Sequence, residues 1–294
     1  MLTRSLDQRI NDGPVLLDGA MGSLLMDMGL LSGQPPEEWT INHPERIGKV
    51  HKLYHEAGSD VLQTNTFGAS FYRLKECGIS EHHDQINQKA VEICRQYGGD
   101  ALVSGDIGPS GLLMEPLGPA KPEELKEAYV RQASVLNENG VDLFSVETMI
   151  DIEEGILAVE AIRQVSSKSI IANITYAKTD NGYFTVMGNP LDVCVQRLLD
   201  AGADIIGSNC NLDSHELYEL AEKMLSLTTT PVSIKPNAGQ PVLKGDTVDY
   251  GQTAEEFVEG MLKIHELGVH ILGGCCGTTP EYIQLLSEKL KGES

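Results

Sequence analysis

The chain has 294 residues, 41% of them hydrophobic and 22% charged, which supports a large buried core and excludes collagen-like, coiled-coil or disordered character. A formal charge of −21 at pH 7 opposes phosphate backbones and anionic lipid surfaces, so nucleic acid and membrane are poor partners. Six cysteines are too few for a disulfide scaffold at this length and point to buried, metal-bound or catalytic thiols.

The N-terminal stretch MLTRSLDQRINDGPVLLDGAMG has no basic segment followed by an apolar run and a small-residue cleavage site, and a cytoplasmic location is expected. Further along, one helix-to-strand joint recurs. EAGSDVLQT (56–64), ENGVDLFSV (138–146), DAGADIIGS (200–208) and ELGVHILGG (266–274) each place a glycine after a helical pattern and before a short apolar run; YGGDALVSG (97–105) is a looser copy. In chain order the apolar runs are VLLD (15–18), VLQT (61–64), ALVSGD (101–106), LFSVE (143–147), IIANITY (170–176), DIIGSN (204–209), VSIK (232–235) and HILGG (270–274). They read as buried parallel strands.

Amphipathic stretches lie between these runs: Ile47, Val50, Leu53 and Tyr54 share one helical face, as do Leu125, Tyr129, Val135 and Leu136. Thr253 with Glu256 forms a capping-box pattern, Thr279–Pro280 an N-cap followed by proline, and Gly202 and Gly268 helix stops. Eight strands alternating with helices predict an α/β chain folded as a (β/α)8 TIM barrel, one domain over 1–294. The alternative is a doubly wound open sheet, but DGAMGS (18–23) lacks the glycine spacing of a dinucleotide loop.

In such a barrel the chemistry sits at the C-terminal strand ends. The texts there are DGAMG (18–22), TNTFG (64–68), GDIGPSG (105–111), ETM (147–149), TYAKTDNG (175–182), SNCN (208–211), KPNAG (235–239) and GGCCG (273–277). Three of the six cysteines fall in this set. Cys77, Cys94 and Cys194 lie in helical patterns and are expected as buried small hydrophobes. Cys275 and Cys276 alone could equally be packing residues or a vicinal disulfide. With Cys210 at a second convergent strand tip, and Gly273, Gly274 and Gly277 freeing the backbone around the pair, three thiolates can meet on one ion. Soft sulfur donors suit zinc, and three of them leave a fourth position for water or substrate. A zinc of that kind strips the proton from a substrate thiol, which suits alkyl transfer to sulfur. Asp18 and Glu147 can pair with an amino group, and the amides of DGAMG can take a carboxylate. Together they describe a site for an amino acid carrying a thiol.

With these motifs in order, from about Val15 to Leu290, the chain resembles the homocysteine S-methyltransferase family. The resemblance implies a (β/α)8 barrel with zinc on Cys210, Cys275 and Cys276, Asp18 and Glu147 at the homocysteine amino group, and amides near Gly19 and Ala20 at its carboxylate. It also implies that Asn237 approaches the zinc when substrate is absent. TNTFGAS (64–70) looks most like the homocysteine module of cobalamin-dependent methionine synthase, and 294 residues leave no room for folate or cobalamin modules. The expected donor is therefore a methylated corrinoid carried by a separate protein, docking on loops 30–40 and 177–190. S-methylmethionine, S-adenosylmethionine or betaine, or a different thiol acceptor, are the alternatives within the chemistry; a zinc-storage or redox-sensing barrel is the alternative outside it. His82–His83 is expected as a solvated helix start. His265 and His270 belong to the opposite barrel end and EELKE (123–127) to an exposed helix face.

Overall fold

The computed structural model describes residues 4–244 and 247–292. Each apolar run forms a strand: β1 Val15–Leu16, β2 Val61–Gln63, β3 Leu102–Ile107, β4 Leu143–Met149, β5 Ile170–Ile174, β6 Ile205–Asp213, β7 Val232–Asn237 and β8 Ile271–Leu272. They hydrogen-bond side by side in the order β1-β8-β7-β6-β5-β4-β3-β2, every pair parallel. A parallel bridge between Leu17 and Val61 joins the two ends. The result is the expected (β/α)8 barrel. Amphipathic helices follow the strands, with Ile47, Val50 and Tyr54, and Leu125, Tyr129 and Leu136, fully buried against the sheet. The capping box at Thr253 and the left-handed stop at Gly202 form as read, whereas Thr279 occupies its N-cap position without a side-chain bond.

The lower barrel is filled by one layer of apolar side chains, including Val15, Val61, Leu102, Leu143, Ile205 and Ile271. Helix Leu6–Asp12, started by a Ser5–Gln8 capping box, closes this end by packing Leu6 and Ile10 onto that layer. Its seven residues are too few to show a helical period, so the apolar pattern did not reveal it.

The recurring Gly-x-Asp joint has a structural use. Asp60, Asp142 and Asp204 each accept, at 2.8 Å, the first free amide of the neighbouring strand: Leu16, Val103 and Ile170 in turn. An arginine from an adjacent helix pairs with each aspartate, Arg9 at 3.1 Å, Arg95 at 2.8 Å and Arg163. In the last copy His270 stands at the aspartate position; its ring packs edge-on against His265 at 5.5 Å.

Several expectations are corrected. Cys77 is exposed, because helix Phe71–Glu76 ends one residue earlier and Gly78 turns the chain away; Cys94 and Cys194 are buried as expected. His83 is fully buried, since helix His83–Tyr97 begins with its ring turned inward and held by Asp84 at 2.7 Å, so only His82 is solvated. The segment 177–190, read as a plain loop, contains an antiparallel hairpin, Ala177–Thr179 with Gly182–Phe184, and a second hairpin, Val242–Lys244 with Thr247–Asp249, follows β7. No helix among the described residues is long and apolar enough to cross a membrane.

Candidate active site

A cavity of about 520 Å³ opens at the C-terminal mouth of the barrel. Its walls come from the tips of seven strands, β5 excepted, and it contains Asp18, Gly19, Ala20, Glu147, Cys210, Cys275 and Cys276 of the predicted site. Asn237 lies just behind that wall, its side chain hydrogen-bonded to the Cys210 sulfur.

The cysteine sulfurs converge because two stretches of backbone leave regular geometry. Strand β6 runs to Asp213, and its register against β7 shifts between Asn209 and Asp213. Within that irregularity Cys210 and Asn211 both take φ 62°, a left-handed conformation that costs a residue with a Cβ about 1–2 kcal/mol. The Asn211 amide, donating to Tyr176 O at 2.9 Å, helps to hold it. After β8 the chain turns rather than extends, so adjacent Cys275 and Cys276 do not point to opposite faces. Cys275 N donates to Pro236 O at 2.8 Å, Ala238 N donates to Cys276 O at 2.9 Å, and the Thr278 hydroxyl donates to Cys275 O at 2.7 Å. Gly274 is required by packing, since a Cβ there would lie 2.1 Å from Thr278 Oγ1.

All three sulfurs lie within 4.8 Å of one another, Cys210 and Cys276 at 4.0 Å. Zinc–sulfur bonds of about 2.3 Å in a tetrahedron set sulfurs about 3.8 Å apart, so the donor set fits a zinc ion in spacing and in chemistry. Hydrogen bonds from Cys275 and Cys276 hold the Cys210 thiol far below its usual range, while Cys276 is pushed up to about 11 and Cys275 also rises.

Asn209 joins this cluster to the neighbouring strand. It is wholly buried; its Oδ1 accepts from Thr148 N at 2.8 Å, and its Nδ2 donates to Thr148 Oγ1 at 2.8 Å and toward Cys275 Sγ at 3.7 Å. Thr148, at φ 56°, is the residue after Glu147. A single amide therefore fixes both a sulfur and the backbone that carries a carboxylate.

Below the sulfurs lies an acidic floor with one buried cation. Lys235 Nζ bonds Glu147 Oε1 and Gln63 Oε1. Asp18 Oδ2 accepts from Gln63 N at 2.8 Å, and its Oδ1 is buried without a partner among the described residues. Burial raises the Asp18 carboxyl to about 7 against the pull of Lys235. Lys235 stays charged because Glu147 and Asp18 offset its burial. A buried lysine and a third acid, Asp106, were not identified from KPNAG and GDIGPSG, because what marks them is pairing across the barrel rather than anything local in sequence.

Gly19 faces a tight wall, where a Cβ would lie 2.6 Å from Thr278 Oγ1 and 2.9 Å from Tyr54 Oη. Ala20 N is already spent on Thr278 O at 3.1 Å, and Tyr54 Oη donates to the same carbonyl at 2.8 Å. Of the two amides expected to meet a carboxylate, only that of Gly19 has no acceptor among the described residues.

Residues 15–290 match the family model described as homocysteine S-methyltransferase. The chain belongs to the homocysteine S-methyltransferase family. It is 29% identical over 302 residues to methionine synthase of Mycobacterium leprae (strain TN), which covers 96% of this chain and 24% of that protein. The chain thus spans about a quarter of the length of that relative. It is also 29% identical to betaine–homocysteine S-methyltransferase 1 of Bos taurus, over 97% of this chain and 74% of the relative. The metallated form of the homocysteine methyltransferase MmuM from Escherichia coli superposes with a TM-score of 0.78 at 22% identity, covering 94% of this chain and 96% of that one. That likeness concerns the fold.

Proposed function

We propose that this family member moves a methyl group to the thiol of homocysteine, giving methionine, with zinc held by Cys210, Cys275 and Cys276. The observation that carries the reading is the trio of sulfurs at tetrahedral spacing in the wall of a cavity whose floor is acidic. Zinc bound there supplies a way to keep a substrate thiol as thiolate near neutral pH. The chain's own groups do the rest. Asp18 and Glu147 accept from the substrate's ammonium, which favours the ionised form of Asp18; the Gly19 side of the first loop receives its carboxylate, with the Ala20 amide committed elsewhere. Asn237 holds Cys210 and occupies the space beside it before substrate enters. The thiolate's electron pair forms the new sulfur–carbon bond, the donor keeps the pair of the broken bond, and the thiol proton leaves to solvent.

The donor in this reading is a methylated corrinoid carried by a separate protein. TNTFGAS and the likeness to a methionine synthase support it, as do exposed apolar residues on segments that follow the C-terminal strand ends: Leu31, Phe67, Leu112, Leu113, Leu117 and Val186. The loops carrying Leu31 and Val186 would form part of the docking rim. A second reading, a small donor such as S-methylmethionine, S-adenosylmethionine or betaine, is favoured by the cavity volume and by the betaine-using relative. The test supplies zinc-loaded protein and homocysteine with methylcobalamin, a methylated corrinoid protein, or each small donor, and measures methionine. Methionine formed fastest with the corrinoid protein is the expected result. Turnover only with a small donor replaces the donor, and no methionine with any of them defeats the homocysteine reading.

A further inference from the structure

The floor of the cavity holds one more acid than the contacts above use. Asp106, at the tip of β3, is 6% exposed and lines the cavity, and its Oδ1 is buried without a partner among the described residues. Its backbone is locked: Asp106 N donates to Thr64 Oγ1 at 3.1 Å, Thr66 Oγ1 donates to Asp106 O at 2.7 Å, and the two hydroxyls lie 2.6 Å apart. The two threonines of TNTFG therefore hold the backbone that carries this carboxyl.

The floor's other charges do not satisfy it. Two of the three N–H donors of Lys235 go to Glu147 and Gln63, and no donor among the described residues reaches Asp18 Oδ1 or Asp106 Oδ1, buried carboxyl oxygens of two residues that line the same cavity. Buried acceptors are kept unpaired at a cost that a ligand bearing donors removes. A primary ammonium has three diverging N–H donors, which suits acceptors that approach from more than one side. Burial and the carboxylates of Glu147 and Asp18 push Asp106 well above the usual range, and an ammonium bound beside it would draw it back toward the carboxylate form.

We propose that Asp106 is a substrate-binding residue, a third acceptor for the α-ammonium group alongside Asp18 and Glu147, and that it sets the preference for amino-bearing thiols over thiols without the amine. This rests on the homocysteine reading. The test is a cycle between one side chain and one substrate group. Zinc-loaded wild type, Asp106→Asn, Asp106→Ser and Glu37→Gln are titrated by calorimetry with homocysteine and with 4-mercaptobutanoate, which keeps the thiol and carboxylate but lacks the amine. Zinc content is measured on each. Glu37 is a buried acid in the same cavity wall whose carboxylate is already bonded to Gly68 N, and it controls for loss of charge alone. In either Asp106 variant the preference for homocysteine should fall about 10-fold or more, the size expected of a lost charge-assisted hydrogen bond. Affinity for 4-mercaptobutanoate, zinc content and the Glu37→Gln preference should be unchanged. Equal weakening of both ligands in the Asp106 variants, or no weakening, overturns the assignment while homocysteine binding by wild type stands. Failure of wild type to prefer homocysteine overturns it together with the reading beneath it.

Discussion

Asn209→Ala removes a side chain that touches both halves of the site. Two hydrogen bonds of 2.8 Å to Thr148 disappear and the Thr148 amide is left without its acceptor. At about 1 kcal/mol for each neutral hydrogen bond, with a further ~1 kcal/mol for the stranded amide, the loss is about 3 kcal/mol. Thr148 keeps its left-handed strain with less to hold it. For a chain of this size that corresponds to a melting temperature lower by about 5 °C. The N–H directed at Cys275 Sγ is a second effect, and removing a partner of a metal ligand typically costs about 10–100-fold in metal affinity. Thermal melts of metal-stripped protein read the first effect, and zinc competition against a chromogenic chelator reads the second. A stripped variant melting within about 1 °C of wild type, a loss too small for even one hydrogen bond, would refute the coupling argued from these contacts. So would unchanged zinc affinity.

Replacing Cys210, Cys275 or Cys276 by serine should remove most bound zinc, and replacing Cys77, Cys94 or Cys194 should not; metal analysis after dialysis decides, and full zinc in the Cys275→Ser/Cys276→Ser protein would exclude the trio. Methionine, which has no thiol to titrate, should bind more weakly as pH falls below about 7, because protonating Asp18 removes the carboxylate its ammonium needs. Asp18→Asn should bind weakly at every pH, and a wild-type profile flat from pH 5.5 to 8 would count against that role. Gly19→Ala should force the tips of β1 and β8 apart, since its Cβ would sit 2.6 Å from Thr278 Oγ1; a destabilisation of about 1–3 kcal/mol with weakened zinc retention is expected, and a denaturant midpoint equal to wild type would show the wall to be softer than it looks.

The barrel was readable because its strands are short Val/Ile/Leu runs after helix-stopping glycines, so local chemistry alone located all eight. The clustering of Cys210, Cys275 and Cys276 was readable for a different reason: cysteine is rare, and three at strand tips stand out against any background. The left-handed backbone at Cys210 was not, since asparagine commonly signals that conformation and cysteine does not. Nor was the pairing of Lys235 with Glu147, two residues 88 positions apart that read as ordinary charges until the sheet closes. Cys77 and His83 were misjudged at helix ends, where a shift of one residue exchanges inside for outside.

The aspartates at 60, 142 and 204 give the barrel a division of labour. Each fastens one strand's start to its neighbour from the end opposite the cavity, and with helix Leu6–Asp12 plugging that end the scaffold's register does not depend on the mouth. Loops above the strands are therefore replaceable parts. If segments 30–40 and 177–190 form the donor rim as proposed, they can be rewritten without disturbing the strand alignment that keeps three sulfurs together, because that alignment is fastened from the other side of the molecule.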